Sequence, residues 1–90
     1  MMNIIFDPIK DNINFSKHQG ISLSLANSLE WDTLWAKEDK RIDYGEVRII
    51  GYAYIKLRLF CVVYTDRGDN RRIISLRKAN KREIKGYAKA

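Results

Sequence analysis

The sequence predicts an α+β fold: a small antiparallel sheet with two helices ahead of it and a short one after it. Three observations carry that expectation. The stretches Val47–Tyr54 and Leu57–Tyr64, and a third around Ile73-Ile74, are dense in β-branched and aromatic residues, the composition of strands. Asp7-Pro8 pairs a capping side chain with proline at a first helical position, and Asn80 with Glu83 has the spacing of a capping box. Between the last two strands, Thr65-Asp66-Arg67-Gly68-Asp69-Asn70 is built of turn formers.

In chain order, residues 3–6 read as a short strand. A helix follows from Pro8 to about Lys17, with Ile9 and Ile13 four apart on its buried side and Gly20 closing it. Ser22 caps a second helix in which Leu23, Ala26 and Leu29 recur every three residues, with Leu25 widening the stripe. Glu30-Trp31-Asp32-Thr33-Leu34-Trp35 is a strand edge or an irregular crossing, and Lys37–Arg41, mixed in sign, is a loop. Ile55-Lys56 forms the hairpin between the next two strands. The second of these is apolar from Leu59 to Tyr64 without alternation, as expected of a central strand covered on both faces. In the last strand, period two sets Ile73, Ser75 and Arg77 on one face and Arg72, Ile74 and Leu76 on the other. The final helix carries Ile84, Tyr87 and Ala88 toward the sheet, and Gly86 weakens it by about 1 kcal/mol.

At 90 residues the chain has room for one core, so residues 1–90 are expected to form a single domain with its helices largely on one side of the sheet. Seventeen Lys and Arg against eleven Asp and Glu leave a net charge of +6, which points to an acidic partner such as nucleic acid. No apolar run approaches the ~20 residues a bilayer requires, and the first residues lack the pattern of a signal peptide. A lone cysteine, Cys61, among apolar neighbours fits a reducing cytoplasm and makes a poor nucleophile. One histidine and one cysteine speak against a structural zinc site, and no cofactor motif is present.

The cations gather where the last strand meets the last helix. A helix N-terminus favours anions through its free N–H groups and dipole, and Arg72, Arg77, Lys78, Lys81 and Arg82 surround this one. A phosphate-sized ligand fits that junction; a solvated basic rim is the plainer alternative.

Taken together, these pieces resemble the BrnT-type toxins of bacterial type II toxin–antitoxin systems, which share the RelE-like ribonuclease fold. The resemblance rests on Phe6-Asp7-Pro8 with Lys10, on Asn14 with Lys17-His18 and Gly20, and on Gly45-Glu46 with Arg48. It continues through Leu59–Tyr64 and is strongest at Arg72-Ile73-Ile74-Ser75-Leu76-Arg77-Lys78-Ala79 with Arg82-Glu83 and Tyr87. Gln19, standing between His18 and Gly20, departs from the pattern and shifts the expected helix end by one residue. The region 36–44 is not diagnostic.

The resemblance implies RNA cleavage, with neutralisation by a small antitoxin that usually carries a ribbon-helix-helix DNA-binding part. Metal-free cleavage needs a base for the 2′-hydroxyl, cations for the phosphorane and an acid for the leaving oxygen. Arg77 is the first choice for the phosphate, because a guanidinium binds two phosphate oxygens at once. His18 is a base or acid, or else a helix-end histidine bonded to a carbonyl. Glu46 is an alternative base, or else an ion-pair partner. Ser75 bonds a phosphate or nearby backbone. Arg48, Arg72, Lys78, Lys81 and Arg82 hold RNA backbone, and Tyr64 stacks on a base or packs. Trp31, Trp35 and the last helix are candidate antitoxin-docking surfaces. The competing class is a module that binds RNA or DNA without cutting it, or an inactive toxin kept as a co-repressor.

Overall fold

The computed structural model describes residues 2–90. Its elements are β1 (Asn3–Ile5), α1 (Pro8–Lys17), a 3₁₀ helix (Leu23–Ser28), β2 (Glu30–Glu38), β3 (Ile49–Ile55), β4 (Arg58–Arg67), β5 (Asn70–Lys78) and α2 (Lys81–Ala88). They form an α+β fold around one five-stranded sheet of order β1-β5-β4-β3-β2. The sheet is mixed rather than wholly antiparallel, because β1 runs parallel to β5 from Asn3–Asn70 to Ile5–Arg72. Among the described residues no helix is long and apolar enough to cross a membrane.

β4 is the central strand, and Leu59 through Val62 are buried together with Tyr64 and Thr65. Its partners are joined to it by two-residue turns: Lys56-Leu57, one residue later than the sequence suggests, and Gly68-Asp69, four residues narrower than the expected turn. Lys56 and Gly68 take positive φ there, which tight hairpin turns require. Residues 30–35 lie in the edge strand of the sheet, as expected, and the strand runs two residues into the stretch expected to be a loop. β2 extends through Glu38, with an irregularity between Glu30 and Trp35 in its pairing with β3. Gly51 makes that approach possible: a Cβ there would sit 2.7 Å from Leu34 Cδ1 and 3.0 Å from the Ala36 Cβ.

One face of the sheet carries the core. Ala53, Phe60, Val62, Tyr64, Ile73 and Leu76 pack there against Ile21, Leu23, Ala26 and Leu29. The segment Leu23–Ser28 is 3₁₀ rather than α-helical. Its buried residues recur every three positions, the period of a 3₁₀ helix, whose side chains at i and i+3 eclipse. That repeat is legible in the sequence; its meaning as 3₁₀ is not taken from it.

A β-bulge in β5 overturns the simple alternation. Phe60–Lys78 through Val63–Ser75 are paired in one register, and Tyr64 pairs with Ile73, so Ile74 is the extra residue. Ile73 and Leu76, three apart, therefore share the core face. Ser75 and Arg77 lie on the opposite face, with Cys61 and Val63 across from them.

α1 is docked by a polar clamp and not by an apolar stripe. Asn14, 4% exposed, donates to Leu76 O and to Ile21 O, both at 2.9 Å, and accepts from Leu76 N at 3.1 Å. Its amide thus takes the place of a neighbouring strand along the part of β5 that the short β1 leaves unpaired. Ile9 and Ile13, expected on the buried side, are 70% and 58% exposed. The helix closes at His18, and the Gly20 N–H reaches back to Phe15 O at 2.8 Å with Gln19 in the left-handed region. The helices do not share one side. α2 packs on the face opposite the core, where its Tyr87 ring stands edge-on to Tyr54.

Candidate active-site groove

The face of the sheet opposite the core is covered at one end by α2 and is open elsewhere. Three adjoining hollows of about 300, 310 and 540 Å³ run over it, and Arg77 is in the wall of each. Ile50, Cys61, Val63 and Ser75 form the floor of the middle hollow. Lys17 and His18 at the end of α1 form one bank, and Asp39, Arg41, Tyr44 and Arg48 form the other.

Arg77 is half-buried and forked onto Glu83, with Nη1–Oε1 at 2.8 Å and Nη2–Oε2 at 2.9 Å. The same carboxylate closes the capping box of α2: Asn80 N donates to Oε1 at 2.9 Å, and Glu83 N donates to Asn80 Oδ1 at 2.8 Å. Tyr52 completes the set, its hydroxyl donating to Oε2 at 2.9 Å. The Arg77 hydrogen bonds are the main reason that the Glu83 carboxyl is held down to about 2. In return Glu83 holds Arg77 more firmly protonated. Burial, then the bond to Glu83, pushes the Tyr52 phenol up. Cys61 lies beneath this group, and burial pushes its thiol up as well, so it is kept as a thiol and not a thiolate.

His18 sits across the groove as the C-cap of α1. Among the described residues its imidazole makes no hydrogen bond, so the carbonyl-bonded alternative is not what this geometry presents. Burial first, then the charges of Lys17 and Arg77, lower its pKa from the ordinary 6.5. The ring is therefore neutral at pH 7 and free to accept a proton.

The opposite bank is built on Asp39, whose buried carboxylate takes two hydrogen bonds from Arg41 at 2.8 Å and one from the Tyr44 hydroxyl at 3.1 Å. Arg41 is the first cause of a carboxyl pKa well below the usual range. The Tyr44 ring in turn supports Arg48, whose guanidinium carbon lies 4.1 Å from the ring centroid. Arg48 Nε is 3.5 Å from Glu46 Oε2, and among the described residues it is the one buried side-chain nitrogen or oxygen without a hydrogen bond.

The sequence-derived candidates therefore separate. Arg77, His18, Ser75 and Arg48 converge on the groove, and Lys78 walls the hollow beside α1. Glu46 is outside the groove walls. It binds Arg67 at 2.7 Å, and that bond is the first cause of its lowered pKa. Arg72 is near the other end of β5, 3.7 Å from Asp7. Lys81 and Arg82 are exposed on the first turn of α2. Tyr64 is 4% exposed on the core face, edge-on to Trp31 and beneath the Arg71 guanidinium, which leaves no ring face for a base. Trp31 is equally committed: its indole N–H donates to Ala26 O, and Arg71 covers its ring.

Sequence reasoning passed over Asp39, Arg41, Tyr44 and Tyr52, and it read Glu83 only as a cap. The Asn80–Glu83 spacing was the available signal for Glu83; a second role for the same carboxylate has no spacing rule.

A groove lined with fixed cations, a neutral imidazole and a hydroxyl suits a polyanion and proton transfer at its backbone. Against known families, residues 6–83 match the family of ribonuclease toxins, BrnT, of type II toxin–antitoxin systems. No curated protein matches the chain significantly. A match over that much of a 90-residue chain places the protein in the BrnT family of ribonuclease toxins, whose type II systems pair a toxin acting on RNA with a cognate antitoxin.

Proposed function

We propose that this chain cleaves RNA in the Arg77 groove without a metal ion, on a RelE-like fold formed by residues 1–90 as a single domain. In this reading His18 takes the proton of a 2′-hydroxyl as its oxygen attacks phosphorus. The bond from phosphorus to the 5′-oxygen breaks, this oxygen takes a proton from water in the open groove, and a 2′,3′-cyclic phosphate and a 5′-hydroxyl are left; His18 then returns its proton to solvent. Arg77 and Arg48 hold the charge that develops on the phosphoryl oxygens, and Ser75 donates to one of them. Glu46, tied to Arg67, acts by positioning Arg48. Lys78, Lys81, Arg82 and Arg72 hold the strand on either side.

The observation that carries the reading is the convergence on one open face of two guanidinium groups and an imidazole that makes no hydrogen bond among the described residues. Cutting cellular RNA in the cytoplasm would arrest translation and growth. An antitoxin bearing acidic side chains, with a ribbon-helix-helix part for DNA, would neutralise the toxin by covering the groove. The test is to incubate antitoxin-free protein with RNA in EDTA. Cyclic-phosphate ends are expected; bound but intact RNA would overturn the catalytic reading. The Arg77–Glu83 fork favours a second reading, a binding-only module, because the best phosphate ligand already has an anionic partner.

A further inference from the structure

One slot in the molecule is used neither by the core nor by the chemistry above. It holds about 180 Å³ between β2 and α2, and its walls are Trp35, Tyr52, Glu83, Gly86 and Tyr87. It adjoins the groove, since Tyr52 and Glu83 also wall the largest hollow beside Arg77. The register explains the continuity. Trp35 pairs with Tyr52, Tyr52 with Cys61 and Cys61 with Arg77, so these four residues form one row straight across the sheet. Trp35 and Arg77 stand three strand spacings apart, about 14 Å.

Two features of the slot lack a structural explanation within the chain. Trp35 is 44% exposed although it is a tryptophan in a strand. Gly86 interrupts α2, where glycine is a poor helix former, yet a Cβ added to it would meet nothing within 4 Å. No close packing demands glycine there. What its missing side chain does is leave the wall low beside the aromatic rings.

The geometry points to a nucleobase-stacking subsite, in which Trp35 and Tyr87 hold a base flanking the phosphate at Arg77. This rests on the reading of the groove as an RNA site. The occupant follows from three observations: the slot is aromatic, it has room for one flat ring system, and it is continuous with a cationic track that suits a nucleic-acid backbone. The walls also define what is read. Glu83 accepts from Arg77 twice, from Asn80 and from Tyr52, which fills the four lone-pair positions of a carboxylate. The Tyr87 hydroxyl is spent on Thr33 O. The subsite therefore reads ring area through stacking first. It favours purines over pyrimidines.

The test uses 2′-O-methyl oligonucleotides, whose blocked 2′-oxygen cannot attack, with an abasic unit placed at each position in turn. In the wild-type chain, abasic substitution at one position is expected to weaken binding about tenfold, on the scale of a lost base–aromatic stack. Trp35→Ala should weaken the intact oligonucleotide to the same degree and erase the abasic penalty. Gly86→Leu, which raises the wall without removing a ring, should do the same. Gly86→Ala, equally favourable to the helix, should bind more nearly as the wild type does, which separates slot filling from helix stability. An unmodified RNA run alongside reports cleavage. A chain that cleaves and binds but shows no abasic penalty overturns the subsite alone. A chain that neither binds nor cleaves overturns the ribonuclease reading and the subsite with it. Variants that bind RNA normally yet lose a co-expressed antitoxin would make the slot a protein-docking surface instead.

Discussion

The two faces of the sheet are made by the same strands and differ in almost every other respect. On the core face, Val62, Ile73 and Leu76 are fully buried against Leu23 and Ala26. On the groove face the residues between them are Cys61, Ser75 and Arg77, which meet cations, hydroxyls and open space. Core contacts are non-directional, so any apolar neighbour of the right volume serves. Groove contacts are pairwise and directional, so Arg77 needs Glu83 and Arg41 needs Asp39 in particular. Stability should therefore concentrate on one face and chemistry on the other, and substitutions matched across the sheet can break that division.

The largest effect is expected from Leu76→Ala. It removes a fully buried side chain from the middle of the core, which costs about 2–5 kcal/mol depending on how far the site collapses. Urea unfolding measures it, with a lower midpoint at unchanged slope. A change below about 1 kcal/mol would mean that the faces are less distinct than the burial implies.

Arg77→Ala, the next residue on the other face, should act the opposite way. Loss of one preorganised electrostatic donor lowers turnover by about 10²–10³, or roughly 2.7–4 kcal/mol of barrier, and should abolish growth inhibition. Glu83 keeps Tyr52 and the Asn80 N–H, so the fold should survive with a smaller shift in midpoint than Leu76→Ala produces. Full toxicity at equal expression would remove Arg77 from the site.

Asn14→Ala tests the seam between the faces. Leu76 N–H and C=O would lose the Asn14 amide that pairs them on that edge, for a cost of about 1–3 kcal/mol. Because α1 carries His18, cleavage should fall along with stability. Unchanged amide hydrogen exchange at Leu76 would show that the clamp does not hold the helix.

The same contrast explains what the sequence made legible. The core strands, the caps at Asp7 and Asn80 and the turn at Gly68 follow from composition and short spacings, and they lie close to their expected places. The Ile74 bulge does not, because an inserted residue leaves no mark in a run of apolar side chains. α1 departs from its pattern because Ile9 and Ile13 look like a buried stripe, whereas polar side chains do the docking: Asn14 on Leu76 and Ile21, and Asp11 on Ser22 and Leu23. On the groove face, Arg77, His18, Ser75 and Arg48 came from charge and family pattern. Asp39, Arg41 and Tyr44 lie in a stretch whose mixed charges look like a solvated loop. Only the tertiary fold shows that Asp39 is buried and organises the bank.

The smallest effect sharpens the comparison most, because it asks whether the groove's own charges set the state of its base. The His18 pKa is lowered first by burial, then by Lys17, then by Arg77. The sign follows from the neutral form being favoured: as pH falls below the ordinary 6.5 the unfolded chain takes up the proton first, which disfavours the folded state, and the base itself is lost only as pH falls through the lower folded pKa. At RNA well below saturation, where the rate reports groups of the free protein, cleavage should therefore hold as pH falls past 6.5 and drop only through a lower folded pKa. Lys17→Gln removes one repulsive charge while leaving the burial. The acid limb should then move up toward 6.5, with burial and Arg77 still holding it below that value. Added salt should move the wild-type limb in the same direction, since it screens Lys17 and Arg77 but not desolvation. His18→Gln should abolish the limb. A limb indifferent to both Lys17→Gln and salt would belong to another group, and the proton at the 2′-hydroxyl would have to be taken elsewhere than at the end of α1.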